Sequence, residues 1–296
     1  MSRLYKVEKR KIKSTGKDIK ILILKPIKNK KPKEKTPGIL WIHGGGYTHG
    51  MTEMIYFTRG LNLVKKYGAV LITVEYRRAP KYPYPCALED CYSALKYLKD
   101  NSEELEFNPD QIFVGGESAG GGLTCALSIY ARDKNEVNIA YQMPLYPMID
   151  CLETPSNKNN KAPIWNTRRN NKAWKQYLKN IDTSDIKNIS PYASPSRLDD
   201  YTNLPPAYTF VGDIEPFYDE TLIYINKLKE ANIEAKVDVY ENCFHAFDMI
   251  LPYKKISKAA IKKFEEEYLY ACEHYFKKQG WLKWQAKKKH KYFWGL

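Results

Sequence analysis

Three short segments of this chain carry residues able to act on a carbonyl carbon. The first is Gly116-Glu117-Ser118-Ala119-Gly120, a G-x-S-x-G pentapeptide. It follows the apolar run "QIFVGG" and precedes the helical pattern "LTCALSIYAR". A sharp strand-to-helix turn of that kind pushes a serine into strained geometry and exposes its hydroxyl. Glycines are needed on both flanks because a Cβ there would clash. The start of the following helix also favours negative charge developing beside Ser118. The bland alternative is a glycine-rich turn that happens to contain a serine.

The second segment is "HGGGYTHG", His43 to Gly50, at the end of the run "GILWIH". Consecutive glycines let the backbone approach a substrate and aim N–H groups at it. Acyl transfer passes through a tetrahedral intermediate whose oxyanion needs such donors. The expected hole combines amides from Gly44, Gly45 and Gly46 with that of Ala119, Gly45 and Gly46 being preferred to Gly44. His43 precedes the serine and sits beside the hole, so it is read as a brace for the loop. No Gly-Lys-Ser/Thr follows, and a phosphate-binding reading is weak.

The third segment supplies a base. Of five histidines, His245 alone lies in a loop after a late strand, in "ENCFHAFD". The acid should stand between serine and histidine in chain order. "GDIEPFYDE", after the run "AYTFV", offers Glu215 and Asp213. Asp219 and Glu220 are expected to begin the next helix.

These loops need a scaffold with strand ends gathered on one edge. Residues 4–13 and 18–27 alternate apolar and polar around Thr15-Gly16, which predicts an antiparallel hairpin. "GILWIH" and "AVLITVEY" are continuous apolar runs, as expected of strands buried on both faces. Residues 53–67 carry a helical pattern between them. In "ALEDCYSALKYLKD", Leu88, Cys91, Leu95 and Leu98 mark an amphipathic helix. "AYQMPLYP", "AYTFVGD" and "AKVDVYE" are further strands, with helices over 218–231 and 256–277. The alternation predicts an α/β fold: a mostly parallel sheet with helices on both faces, one domain over residues 1–296. Residues 151–190 break the pattern and should form a small cap over the site. Its Trp165, Trp174 and Tyr177 either line an apolar pocket or dock the insertion on the body.

Composition narrows the function classes. The net charge of +14 is concentrated at the two ends, including a basic tail over about 280–296. No aromatic-basic motif of an RNA-binding fold accompanies it, so nucleic acid is not an expected partner. The tail is read as a solvated or packed extension, with a membrane-surface anchor or an oligomer contact as alternatives. Six scattered cysteines without a C-x-x-C pair imply reduced thiols and neither zinc nor redox chemistry. No secretory signal is visible and no apolar run reaches the length of a membrane span, so a cytoplasmic location is expected.

Taken together, the motifs resemble the hormone-sensitive-lipase-like branch of the α/β-hydrolase esterases. The H-G-G-G loop is that branch's hallmark. "VEYRRAPKYPYPCALEDCYSALKYL" is similar to its Y-R-x-A-P segment and following helix, and "FNPDQIFVGGESAGGGL" to its nucleophile region. "SPYASP…LPPAYTFVGDIEPFYDET" and "FHAFD" resemble its acid and histidine regions, so the likeness runs over roughly residues 18–275. It implies an α/β-hydrolase fold and a serine carboxylesterase with the triad Ser118, Glu215 and His245. Where the family has Asp-Pro-Leu this chain has Glu215-Pro216-Phe217, and the matching register prefers Glu215 to Asp213. The family's long N-terminal cap is shortened here to the hairpin.

The expected partner is a small-molecule ester, with a homo-oligomer possible and no cofactor or metal needed. Short acyl chains of acetyl type are the expected substrates. The rival readings are an amidase or peptidase on the same triad and a catalytically silent ligand-binding protein on the same fold.

Overall fold

A computed structural model describes residues 4–27 and 36–279. The expected linker from Lys28 to Pro37 falls mostly outside them, and the basic tail wholly outside. The hairpin forms from β1 (Tyr5–Ser14) and β2 (Lys17–Pro26), with Ile12 opposite Ile19 across the Thr15-Gly16 turn. Gly16 takes a left-handed φ of 71° there, a conformation open to glycine at little cost.

Six more strands follow: β3 (Pro37–Ile42), β4 (Val70–Val74), β5 (Asn108–Glu117), β6 (Tyr141–Leu145), β7 (Ala207–Gly212) and β8 (Ala235–Tyr240). The sheet order is β1-β2-β4-β3-β5-β6-β7-β8. β2 pairs antiparallel with β4, and β3 to β8 run parallel. All parallel strands therefore end on one edge, where open α/β sheets form their sites.

The continuous apolar runs are explained by packing on both faces. Along β3, Leu40 and Ile42 join one buried cluster while Ile39 and Trp41 join another. The first cluster is completed by α2 (Cys86–Asp100), through Leu88, Cys91, Leu95 and Leu98, and by α4 (Ala119–Lys134), through Leu123 and Leu127. The second is completed by α1 (Arg59–Tyr67) and α8 (Lys255–His274), through Leu61, Val64, Phe264 and Tyr268. α6 (Tyr218–Glu230) packs Tyr224, Ile225 and Leu228 into a third. α3 (Ser102–Leu105), α5 (Thr167–Tyr177) and α7 (Phe247–Ile250) are shorter. Among the described residues, no helix is long and apolar enough to cross a membrane.

One expected helix is divided. Residues 53–67 form a 3-10 segment, Thr52–Phe57, and then α1, because Thr58 is extended with φ −95° and ψ 171°. The break frees the N–H of Arg59, which donates to the Glu117 carboxyl at 3.3 Å.

Candidate active site

Ser118 caps the N-terminus of α4 with φ 59° and ψ −121°. Few non-glycine residues adopt such a backbone, and it persists only where the surroundings dictate it. Here they do: Ser118 N–H donates to the Leu145 carbonyl, and the Ser118 carbonyl accepts from Gly122 and Met148 N–H groups. A Cβ at Gly120 would collide with the carbonyls of Ile42 and His43, so the elbow closes against β3 only with glycine.

His245 lies between β8 and α7, and its Nε2 is 2.9 Å from Ser118 Oγ. On the other side of the ring, Nδ1 is hydrogen-bonded to Glu215 Oε2. The second Glu215 oxygen accepts the Gly212 N–H at 3.1 Å, which fixes the carboxyl from the end of β7. Ser118, His245 and Glu215 are all buried, and they form one hydrogen-bonded row. Asp213 is not part of it: its Oδ1 has no hydrogen-bond partner. Asp219 and Glu220 do stand in the first turn of α6, but their carboxyls serve neighbouring loops. Asp219 accepts from Ser156 N–H, and Glu220 from Ile149 and Asp150 N–H groups.

The glycine loop faces the row. A Cβ at Gly44 would stand 3.2 Å from Ser118 Cβ, so this backbone runs directly beside the serine. Gly45 and Gly46 have φ of 118° and 58°. Gly45 C=O closes the turn by accepting from Thr48 and His49 N–H groups. Among the described residues, the N–H groups of Gly45 and Gly46 donate to no protein acceptor. Ala119 begins α4, and a first helical N–H has no intrahelical acceptor.

His43 braces the loop, as its position suggested. Its Nδ1 is 2.8 Å from the Gly44 carbonyl oxygen, and its ring stacks on Tyr76. Burial lowers its pKa to about 4, so the ring is neutral at pH 7.

The insertion divides the roles of its aromatics. Trp174 and Tyr177 are buried against Tyr47, whose ring stacks on Tyr177 at 4.0 Å. Tyr47 Oη donates to the Met148 carbonyl at 2.6 Å, tying the glycine loop to the body. Trp165 instead reaches the site. Its ring centroid is 6.2 Å from that of His245 and 6.3 Å from that of Phe217. A Cβ at Gly46 would fall on its indole.

Behind the row lies a polar group that sequence reading missed. Glu117 accepts from Trp41 Nε1 at 2.9 Å, and Arg59 pairs with Asp248 at 3.2 Å. Burial pushes the Glu117 carboxyl up to about 8, with Trp41 pulling it down and Asp248 pushing it further up. A cavity of about 370 Å³ opens outside the glycine loop, lined by Lys17, Tyr76, Arg78 and Tyr82 among others. None of Ser118, His245 and Glu215 lines it, and its Lys20, Arg77 and Arg78 are paired with Glu53, Asp90 and Glu75.

The profile of the α/β-hydrolase fold family matches residues 39–249, which span the glycine loop, elbow, acid and histidine. The chain belongs to the α/β-hydrolase family. Within it, the match to esterases places this hydrolase in the hormone-sensitive-lipase-like branch. It is 30% identical to an arylesterase of Saccharolobus solfataricus, over 80% of this chain and 75% of that one. It is 27% identical to the carboxylesterase NlhH of Mycobacterium tuberculosis, over 73% and 67% of the two chains. A solved bacterial heroin esterase superposes with a TM-score of 0.85 at 30% identity, covering 91% of this chain and 85% of that one. This α/β hydrolase is a carboxylic ester hydrolase.

Proposed function

We propose that Ser118, His245 and Glu215 form the catalytic triad of a carboxylesterase selective for short acyl chains. The observation that carries this reading is the continuous hydrogen-bonded row from Ser118 Oγ through the His245 ring to Glu215. His245 Nε2 takes the Ser118 proton as Oγ attacks the ester carbonyl. Glu215 holds the Nδ1–H tautomer and stabilises the imidazolium. Amides of Gly45, Gly46 and Ala119 hold the oxyanion, while Gly44 keeps the loop close to the serine. His245 returns its proton to the departing alcohol. Water, deprotonated by His245, then attacks the acyl-enzyme, and the serine is restored as the carboxylic acid leaves. The chemistry calls on no cofactor.

Short-chain selectivity rests on Trp165. Its indole stands against Gly46 and beside His245 and Phe217, where a long acyl chain would have to pass. Each buried methylene is worth about 0.8 kcal/mol until the wall is met, after which added length is penalised. The six unpaired thiols support a reducing, cytoplasmic setting.

The test is a panel of p-nitrophenyl esters of increasing acyl length, with acetylated sugars and aminoacyl anilides alongside. The expected kcat/KM peaks at roughly C2 to C6 and falls by C10. A steady rise to long chains overturns the short-chain reading. Turnover of anilides above esters makes the protein an amidase. Saturable binding without turnover makes it a ligand-binding protein.

A further inference from the structure

Large apolar side chains normally reach solvent singly and scattered. Here the most exposed are concentrated on one edge, although Phe276, at 56%, lies after α8. Of the five most exposed large apolar residues among those described, four are Phe57 (76%), Tyr253 (64%), Met51 (53%) and Ile250 (48%). All four lie in the segments that follow the C-terminal ends of β3 and β8, the edge that carries Ser118: Met51 and Tyr253 in loops, Phe57 and Ile250 at the ends of the 3-10 segment and of α7. Ile214, after β7, and Ile164, in the insertion, are also exposed.

Their chain neighbours tie these segments to the site. Met51 follows Gly50, where a Cβ would collide with the His43 ring. Phe57 and Ile250 each stand two residues from a member of the Arg59–Asp248 pair. Ile214 precedes Glu215, and its carbonyl accepts from Asn160 of the insertion at 3.1 Å. Ile164 precedes Trp165 at the site.

Unpaired cations outnumber unpaired acids along this edge. Lys254 and Lys255 follow Tyr253, and Lys161 and Arg168 flank Ile164. All four are exposed, and among the described residues none of them pairs with a carboxylate. Of the acids nearby, Glu53 is paired with Lys20 and Glu153 with Lys158, while Asp213 and the exposed Glu241 make no ion pair among the described residues. The whole chain carries +14. An apolar patch bordered by free cations matches a surface that is apolar within and anionic at its face.

We propose that this rim docks the protein on anionic lipid bilayers with the mouth of the site facing the membrane. Phe57, Tyr253, Met51 and Ile250 enter the headgroup–acyl boundary, and the lysines and arginine meet lipid phosphates. Docking is distinct from interfacial activation: the catalytic row is assembled without it. The inference goes beyond the esterase reading, because adsorption is measured without any substrate.

The experiment is co-sedimentation of the full chain with vesicles of equimolar phosphatidylglycerol and phosphatidylcholine, and with phosphatidylcholine alone. The wild type should bind the mixed vesicles and release them in high salt. Phe57→Ser/Tyr253→Ser should weaken partitioning about tenfold or more, as should Lys254→Glu/Lys255→Glu. Both variants should hydrolyse a soluble ester at the wild-type rate, which shows that they fold. No binding by the wild type overturns the proposal. So does undiminished binding by folded Phe57→Ser/Tyr253→Ser, which would transfer adsorption to another basic segment. A dimer that this variant dissolves, with no affinity for vesicles, assigns the rim to a second copy of the chain and also overturns it.

Discussion

The indole of Trp165 rests on Gly46 so closely that a Cβ on that glycine would occupy the ring. This contact joins the insertion after β6 to the loop after β3 at the site itself, beside the Tyr47 stack on Tyr177. It has consequences for both substrate size and rate.

Trp165→Ala should move the acyl-length optimum upward. Each additional methylene that the enlarged pocket accepts should gain about fourfold in relative kcat/KM, read from the p-nitrophenyl ester series. Gly46→Ala should act differently. The new methyl displaces Trp165 and strains a φ of 58°, so kcat should fall about ten- to a hundredfold through a misplaced amide. An unchanged chain-length profile in Trp165→Ala would remove the tryptophan from the acyl wall.

The acid is tested by two near-isosteric changes. Glu215 bonds His245 and is itself fixed by Gly212 N–H, whereas Asp213, two residues earlier, leaves one oxygen without a partner. Glu215→Gln should lower kcat about 10²- to 10⁴-fold by disturbing the histidine tautomer. Asp213→Asn should stay within about tenfold of wild type. The reverse order would hand the role to Asp213.

The buried Glu117 carboxyl makes a prediction about stability and pH. Its pKa is raised from 4.5 to about 8, chiefly by burial. Between those values the native state holds a proton that the unfolded chain releases. The associated stability is complete below pH 4.5 and is lost as pH rises through 8. Urea unfolding across that window should show the wild type losing a few kcal/mol relative to Glu117→Gln. Parallel pH profiles for the two proteins would place the charge elsewhere.

Much of this architecture is readable from local pattern. The hairpin, the apolar runs of β3 to β7 and the serine elbow each occupy a short window with a distinctive periodicity. The buried group behind the site does not. Glu117, Arg59 and Asp248 meet only because the break at Thr58 turns the Arg59 N–H toward β5 and the pairing of α1 with the histidine loop brings Asp248 in. No short window contains that association.

The divided aromatics of the insertion are an intermediate case. Asn170, Ala173, Trp174 and Tyr177 are the buried residues of α5 and lie at helical spacing. Asn166 caps this helix by accepting from Arg169 N–H, so Trp165 stands outside it and turns to the site. An Asn-Thr cap ahead of that spacing was available as a signal for separating Trp165 from Trp174. The one-turn helix α7, by contrast, is too short for periodicity to register.

The most direct measurement is turnover of a short p-nitrophenyl ester by Ser118→Ala, with thermal unfolding recorded alongside. The row predicts a loss of roughly 10⁴- to 10⁶-fold with an unchanged unfolding transition, and no acyl group on the variant by intact mass after reaction with p-nitrophenyl acetate. Near-wild-type turnover by a folded Ser118→Ala protein would contradict the assignment of Ser118 as the nucleophile.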